Sequence, residues 1–435
     1  MSKSLRLEMG TFPVRRVLLG RQAGYREGIL EVDVESLAKL MTADPAIARV
    51  AVEAVHPGEE TRIVHILETL EPRMKVAGGG QVFPGFLGPA DHSGRGRLHR
   101  LAGMTLMTAG YFPDVLDPNM RQKEAIVDMS GPASGLSPFS QTVNLVVACE
   151  RAPGADAFAF DRAVREAGLK GAVYLAESTR ELEPAELEVF ELDAGLPGLP
   201  GIALILQLGT KAPHGLQGTG LLRDMFLYGR SVHGILPTPI HPNDLLEGAV
   251  VANDFHYAGY RNPTYVMQQN PLVMELYAGH GRRWNFKGVV LTRGYYHTQE
   301  EKERAAQHAA KLAHMLGADG AVVTTQGGGN SHIDAMLTLQ RCEWLGIRGC
   351  LVMAELGGVE GMDSGLTDFV DEADLLISTG NIDEMVEFPA MSKVVGGDEL
   401  LGTRESPRGS FRTHTRNVLL ANSQVGMARV ACRPF

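Results

Sequence analysis

Residues 249–265 read AVVANDFHYAGYRNPTY, a turn rich in aromatic and polar groups ahead of an expected helix. Phe255, Tyr257 and Tyr260 cluster there beside Asp254 and His256. Three aromatic rings with an acid are the ingredients of a quaternary-ammonium cage. The same cluster is more often the ordinary packing of a loop–helix junction. Asp254, His256 and Tyr257 form the candidate catalytic set, with Asn253, Phe255 and Tyr260 as substrate contacts around it. His233, His241 and His256, with Asp244 and Asp254, are residue types that hold zinc. Their spacing matches no metal motif, and no metal is expected.

A second constellation is VVTTQGGGNSHIDAML, residues 322–337. An apolar run enters three glycines and then a helical pattern. Open α/β sheets take ligands at the carboxyl ends of their strands, where helix N-termini offer free N–H groups. Gly327, Gly328, Gly329, Asn330 and His332 are therefore candidate contacts for a substrate or anion. No Gly-Lys-Ser/Thr follows, and the spacing is not G-x-G-x-x-G, so no nucleotide is implied. Asn330 or Ser331 is expected to cap the helix. A third stretch, DHSGRGRLHRL, carries Arg95, Arg97, His99 and Arg100. It reads as a basic, Gly-rich loop that could grip a carboxylate or a neighbouring subunit, or simply stand in solvent.

The elements that must position these residues follow from pattern. Residues 1–150 hold short runs rich in β-branched residues, broken by Gly, Pro or charge, with one helix, VESLAKLMT, among them. Beyond residue 150, apolar strands such as GIALILQLG, KGVVLTRGY, GAVVTTQ and RGCLVMAEL alternate with helical stretches. GLLRDMFLYGRSVHG also reads as helical. TQEEKERAAQHAAKLAHMLGA begins at Thr298 with acids in its first turn. Continuous apolar strands imply burial on both faces. The expected fold is α/β with a β-rich N-terminal region and mainly parallel sheets flanked by helices. Its portions are a β-rich domain over 1–150, a first α/β portion over 151–260, and a second over 261–435 with the Gly-rich loop.

The chain has 435 residues and a net charge of −10, which argues against nucleic-acid or anionic-membrane partners. No apolar run approaches the roughly 20 residues that span a bilayer. The N-terminus, MSKSLRLEMGTFPVRRV, lacks the apolar centre of a signal peptide. A cytoplasmic protein is expected. The four cysteines, Cys149, Cys342, Cys350 and Cys432, form no C-x-x-C pair. Cys342 and Cys350 read as small buried apolar residues.

Widely spread segments carry a resemblance. They include FPGFLG (83–88), GRGRLHRLAGM (94–104), DMSGPASGLSPFSQTVNLVV (128–147), AGLKGAVYLAEST (167–179), NPTYVMQQNPLV (262–273), YAGHGRRWNFKGVVLT (277–292), EMVEFPAMSKVVG (384–396) and SQVG (423–426). Over almost its whole length the chain resembles the proprotein subunit of component B of the glycine/sarcosine/betaine reductases, and more distantly that of D-proline reductase. The resemblance implies a chain that cuts itself at an internal Cys, which becomes an N-terminal pyruvoyl group. That carbonyl condenses with the substrate amine, and a selenolate on a partner subunit displaces the amine.

In the family that Cys lies about eight positions before Asn262-Pro263-Thr264-Tyr265. Here the region reads Asn253, Asp254, Phe255, His256, and no Cys, Ser or Thr occurs from Pro239 to Pro263. The expectation is no self-cleavage, no pyruvoyl and no other cofactor. Two readings follow. In one, the chain is a subunit of a hetero-oligomeric reductase acting on a small molecule with a Cys- or selenocysteine-bearing partner. Asp254 then balances a cation, and His256 passes a proton to the leaving group. In the other, the chain is a catalytically silent scaffold that docks the partner and shapes its site.

Overall fold

A computed structural model describes residues 5–112, 122–210, 224–252, 257–428 and 430–432. Its largest sheet has seven strands in the order Thr238–Ile240, Asn285–Arg293, Gly201–Leu208, Gly320–Thr324, Arg348–Glu355, Leu376–Asn381 and Ala431–Cys432. The inner pairings are parallel and both outer ones antiparallel. Alternation along Gly201–Leu208 divides its side chains between two cores. Leu204, Leu206 and Leu208 join the main cluster, and Ala203 and Ile205 join a second one. That second cluster lies under the helices Gln299–Met315 and Asn330–Trp344. Ala309, Ala310 and Ala313 let the first of these approach closely. The unbroken apolar run is thus a strand buried on both faces.

Thr298 closes the start of Gln299–Met315 in a full capping box with Glu301, as its spacing predicts.

The N-terminal region forms two mixed four-stranded sheets. One runs Glu186–Glu191, Arg6–Pro13, Gly96–Ala102, Arg73–Ala77, and the other Ile47–Val55, Val143–Arg151, Met104–Ala109, Ile66–Leu70. Helix Ala157–Glu177 touches strands of both. Gly168 and Gly171 on this helix face Thr108, Leu70 and Leu106 where a side chain would be crowded. A three-stranded sheet joins Val127–Asp128, Thr61–Ile63 and Lys393–Val395. The main core runs from Leu7 to Val425.

The fold is α/β, but the sheets are not mainly parallel. Parallel pairing dominates the seven-stranded sheet, while the others are mixed or antiparallel. In the N-terminal region antiparallel pairs join strands far apart in sequence, Arg6–Pro13 with Glu186–Glu191 and Ile47–Val55 with Val143–Arg151, so strand direction there is not set by a strand–helix–strand crossover.

Two local expectations are corrected. The basic stretch is no loop from Gly96 onward, because Gly96–Ala102 is a sheet strand. Its arginines are paired across the sheet: Arg97 with Glu8 at 2.7 Å and Arg100 with Glu188 at 2.8 Å. His99 is buried against the Thr179 carbonyl, and Arg95 bonds His92.

The described part of GLLRDMFLYGRSVHG is a β-hairpin, Phe226–Leu227 against Arg230–Ser231. Tyr228 (φ 48) and Gly229 (φ 72) both take positive φ, which is the two-residue turn that matches strand twist.

No helix among the described residues is long and apolar enough to cross a membrane.

Candidate functional site at the carboxyl edge of the large sheet

Strand Gly201–Leu208 ends in Gln207, a buried amide that ties together the loop after Gly320–Thr324. Its Oε1 accepts from Gln326 N at 2.8 Å, and its Nε2 donates to the Ser331 carbonyl at 3.1 Å. From the C-terminal segment, Gln424 holds Gly327 by both backbone groups, each at 2.7 Å. Gly327 (φ 103) and Gly329 (φ 64) adopt conformations that favour glycine.

Gly329 precedes the helix Asn330–Trp344, and no side chain caps it. This corrects the expected cap at Asn330 or Ser331. Asn330 is already helical and donates instead to the Tyr296 carbonyl at 3.0 Å. The first-turn N–H groups therefore have no side-chain acceptor.

The residues after the opening turn meet this loop. Tyr260 is buried with Ala354 and Ile382, with Tyr257 and Leu356 at the margin. The Tyr257 and Tyr260 rings meet edge to face at 5.9 Å. A Cβ on Gly327 would lie 3.8 Å from the Tyr260 ring, and one on Gly328 would lie 3.1 Å from Leu356. Tyr257, Tyr260, Gly327 and Gly328 thus gather at one place. Asn253, Asp254, Phe255 and His256 lie outside the described residues.

Two cations approach the Tyr257 ring, Arg416 at 5.0 Å and Lys123 at 5.8 Å. A quaternary ammonium would share that ring at a Coulombic cost, whereas a carboxylate would be attracted there.

His332 is fully buried, and burial pushes it down to about 4. It is neutral at physiological pH and offers no positive charge to an anion. His241 caps the short helix Pro242–Leu246 with its Nδ1. Among the described residues no three His, Cys, Asp or Glu side chains stand close enough to hold a metal.

Sequence reasoning missed the amides. Asn262 donates to Gln326 Oε1, leaving Asn262 Oδ1 and Gln326 Nε2 buried without partners. Either orientation of such an amide pair leaves one acceptor and one donor over. A buried polar atom costs free energy until something fills it. A molecule carrying both a donor and an acceptor would satisfy the pair. The available signal was positional: Gln207 and Gln326 are the polar residues that close apolar runs.

Below them, Glu68 anchors Thr264. It accepts from Thr264 N at 2.8 Å and Oγ1 at 2.6 Å, and Thr264 Oγ1 accepts from Ala252 N at 2.8 Å. Both ends of the opening loop are therefore fastened to one side chain. Thr264 is also the first aliphatic hydroxyl after the loop, and it is already bonded on both sides. The residues present do not fit a pyruvoyl group: the loop lacks a β-heteroatom, and the nearest one is held.

Burial pushes Glu68 up to about 7, against the Thr264 hydrogen bonds that lower it. A carboxyl raised above its ordinary value favours folding below that value and loses the benefit as pH rises toward about 7. Glu68→Gln removes this slope. Relative to wild type, the variant should gain about 3 kcal/mol between acid and neutral pH. Urea titrations across that range test it, and parallel curves would refute it.

Parallel strands that deliver a polar loop and a helix start to one edge define an α/β protein, and that edge is where such sheets usually take ligands. The family model for glycine/sarcosine/betaine reductase component B subunits matches residues 5–433, and the chain belongs to that family. It is 33% identical to glycine reductase complex component B subunits alpha and beta of Peptoclostridium acidaminophilum, over 92% of this chain and 91% of the relative. It is 30% identical to the protein of the same description from Acetoanaerobium sticklandii, over 99% and 100%. Against sarcosine reductase complex component B subunit alpha of P. acidaminophilum it is 33% identical, over 90% and 89%. No solved structure matches.

Proposed function

We propose that the chain is a subunit of a reductase complex. In this reading it takes part in thiol- or selenol-dependent reductive cleavage of a carbon–nitrogen or other carbon–heteroatom bond in a small amino-acid-like substrate, without self-cleavage and without a pyruvoyl. The observation that carries the reading is the unfilled acceptor and donor of the Asn262–Gln326 pair, beside the Gly327 loop and Tyr260. Such a pair suits a small molecule bearing N–H and carboxylate groups. The names of the relatives, which are components of glycine and sarcosine reductase complexes, agree with that class.

The nucleophile comes from a partner. Burial pushes Cys149 and Cys342 up to about 12, so neither is a thiolate at neutral pH. The partner's thiolate or selenolate attacks the carbon that carries the leaving group. A carbon–sulfur or carbon–selenium bond forms, and the electron pair of the broken bond departs with the leaving group. His256 supplies the proton that group takes up, and Asp254 balances the charge. Tyr257, set between Arg416 and Lys123, orients the carboxylate end.

The silent-scaffold reading is favoured by one observation, the engagement of the Tyr257 ring by those two cations. Two measurements decide. The denatured chain, purified after co-expression with its partner, should show one species near 46.9 kDa. In the assembled complex, Asp254→Ala and His256→Ala should each lower kcat by about a hundredfold or more. Fragments would refute the uncut chain, and unchanged rates would leave the scaffold reading.

A further inference from the structure

The acid excess of the chain is concentrated in one stretch. From Gly349 to Ser392 there are ten Asp and Glu and no Lys, Arg or His, and the rest of the chain holds as many acids as its 41 Lys and Arg. The stretch leaves the end of strand Arg348–Glu355 and returns along Leu376–Asn381. Its first turn therefore emerges at the carboxyl edge of the large sheet, beside the Gly327 loop.

Residues 357–364 form a finger there. Leu356 N donates to the Gly365 carbonyl at 3.0 Å, and Asp363 N to the Gly357 carbonyl at 3.0 Å, which closes its base. Gly361 N donates to the Gly358 carbonyl at 3.2 Å across its tip. Asn381 clamps the base from the next strand, accepting from Gly357 N at 3.0 Å and donating to the Gly358 carbonyl at 2.7 Å. Asp383 accepts from Gly358 N at 3.2 Å and pairs at 2.9 Å with Arg416, which lies over Tyr257. Leu356, at the root, packs with Tyr257 and Tyr260. The finger is thus fastened to the rim of the candidate site.

Its tip is apolar and acidic together. Met362 is 87% exposed and Val359 54%. Glu360 and Asp363 stand exposed beside them, and neither has an ion pair among the described residues. Elsewhere in the stretch Asp374 and Glu387 each face an arginine, at 3.8 and 3.6 Å. The hydrogen-bonded base presents Val359 and Met362 in a set position, which lowers the ordering cost of an association. Methionine is enriched at protein–protein contacts and adapts its shape to the facing surface.

We propose that this finger docks the partner subunit that carries the thiolate or selenolate, and that the partner receives it in an apolar notch rimmed by Lys and Arg. The inference rests on the reading that a partner supplies the nucleophile, and it adds where that partner seats. A nucleophile from outside has to arrive at this edge of the sheet, so its subunit must rest on the rim. The unpaired acids attract a basic face and speed the encounter. A second copy of the chain carries the same acid excess at its own finger, so that surface would repel it.

Stopped-flow association of the full chain with its co-expressed Cys- or selenocysteine-bearing subunit, at several salt concentrations, tests this. Wild-type association should slow as salt rises. Glu360→Lys/Asp363→Asn should lower the association rate about tenfold and remove much of its salt dependence. Met362→Ser should leave the association rate near wild type and raise the dissociation rate about tenfold. In both variants the rate of the complex should return to wild type once that subunit is saturating. A rate that stays low at saturation would mean that the finger shapes the substrate site through Asp383 and Arg416, and would overturn the docking role. Unchanged association and dissociation in both variants, or loss of self-association in place of partner binding, would overturn it too and leave the proposed function standing. A wild-type chain that forms no complex with that subunit would bring down the partner-borne nucleophile as well.

Discussion

Arg62→Ala is expected to cost about 3–5 kcal/mol of stability. Arg62 has no exposed surface. Its guanidinium grips Asp128 twice, at 2.6 and 2.8 Å, and donates to the carbonyls of Pro389 and Pro407 at 2.8 and 2.6 Å. It also packs over the stacked rings of Phe388 and Phe411, at 5.0 and 4.6 Å. Removing it strands a buried carboxylate and the carbonyls of Pro389, Pro407 and Gly409. Asp128 is already raised by burial, against the lowering effect of Arg62. Without the guanidinium it rises further, so the loss should be smaller in acid and larger at neutral pH. Urea unfolding measures the cost. The double variant Arg62→Met/Asp128→Leu should recover most of it, because apolar residues of similar size replace buried pairs at little penalty. A single variant that loses under about 1 kcal/mol would contradict the cost assigned to uncompensated buried charge.

The second large effect is functional. Gly259→Ala is expected to lower the rate of the assembled complex about a hundredfold while the chain stays folded. Gly259 N donates to the Arg416 carbonyl at 2.9 Å, and Asn422 N donates to the Gly259 carbonyl at 2.7 Å. A Cβ there would stand 2.7 Å from Arg416 Cα, 2.8 Å from Thr415 O and 2.9 Å from Asn422 Oδ1. The Thr415–Arg416 backbone and the Asn422 side chain must shift to admit it, at about 1–3 kcal/mol. That movement carries Tyr257 off Arg416 and Tyr260 off the Gly327 loop. Gly135→Ala is the control, since a Cβ there meets nothing within 4 Å. Rates equal to wild type in Gly259→Ala would mean that the Tyr257–Asn262 segment does not shape the site.

Much of the large sheet was legible, because buried parallel strands write themselves as unbroken apolar runs and Thr298 with Glu301 is a local capping signal. The Gly327 loop was legible for the same reason, as glycines closing such a run. Strand Gly96–Ala102 was hidden by its arginines, whose partners Glu8 and Glu188 lie about 90 residues away. The hairpin at Phe226–Ser231 was hidden by apolar residues that mimic helical spacing, with the decision resting on the backbone of Tyr228 and Gly229. Within the site, Tyr257 and Tyr260 were visible as a cluster. Gln207, Asn262, Gln326 and Gln424 were not, because each is ordinary by itself and only the topology brings them together. Glu68 gave no local signal either, since its character comes from burial.

The interleaving of the two ends of the chain has a further consequence. Strand Thr61–Ile63 pairs with Lys393–Val395, and Gly201–Leu208 pairs with Asn285–Arg293 and Gly320–Thr324. A backbone break between Ala252 and Tyr257 would sever no strand of these sheets. The two fragments would still share sheets, a core and the Arg62 clasp, and would behave as a complementing pair rather than as separate proteins. A nicked molecule would then elute with the intact one on a sizing column, and only unfolding would reveal it. The same interleaving delays completion of the N-terminal half during synthesis: Thr61–Ile63 waits for its second neighbour until residue 395 has left the ribosome.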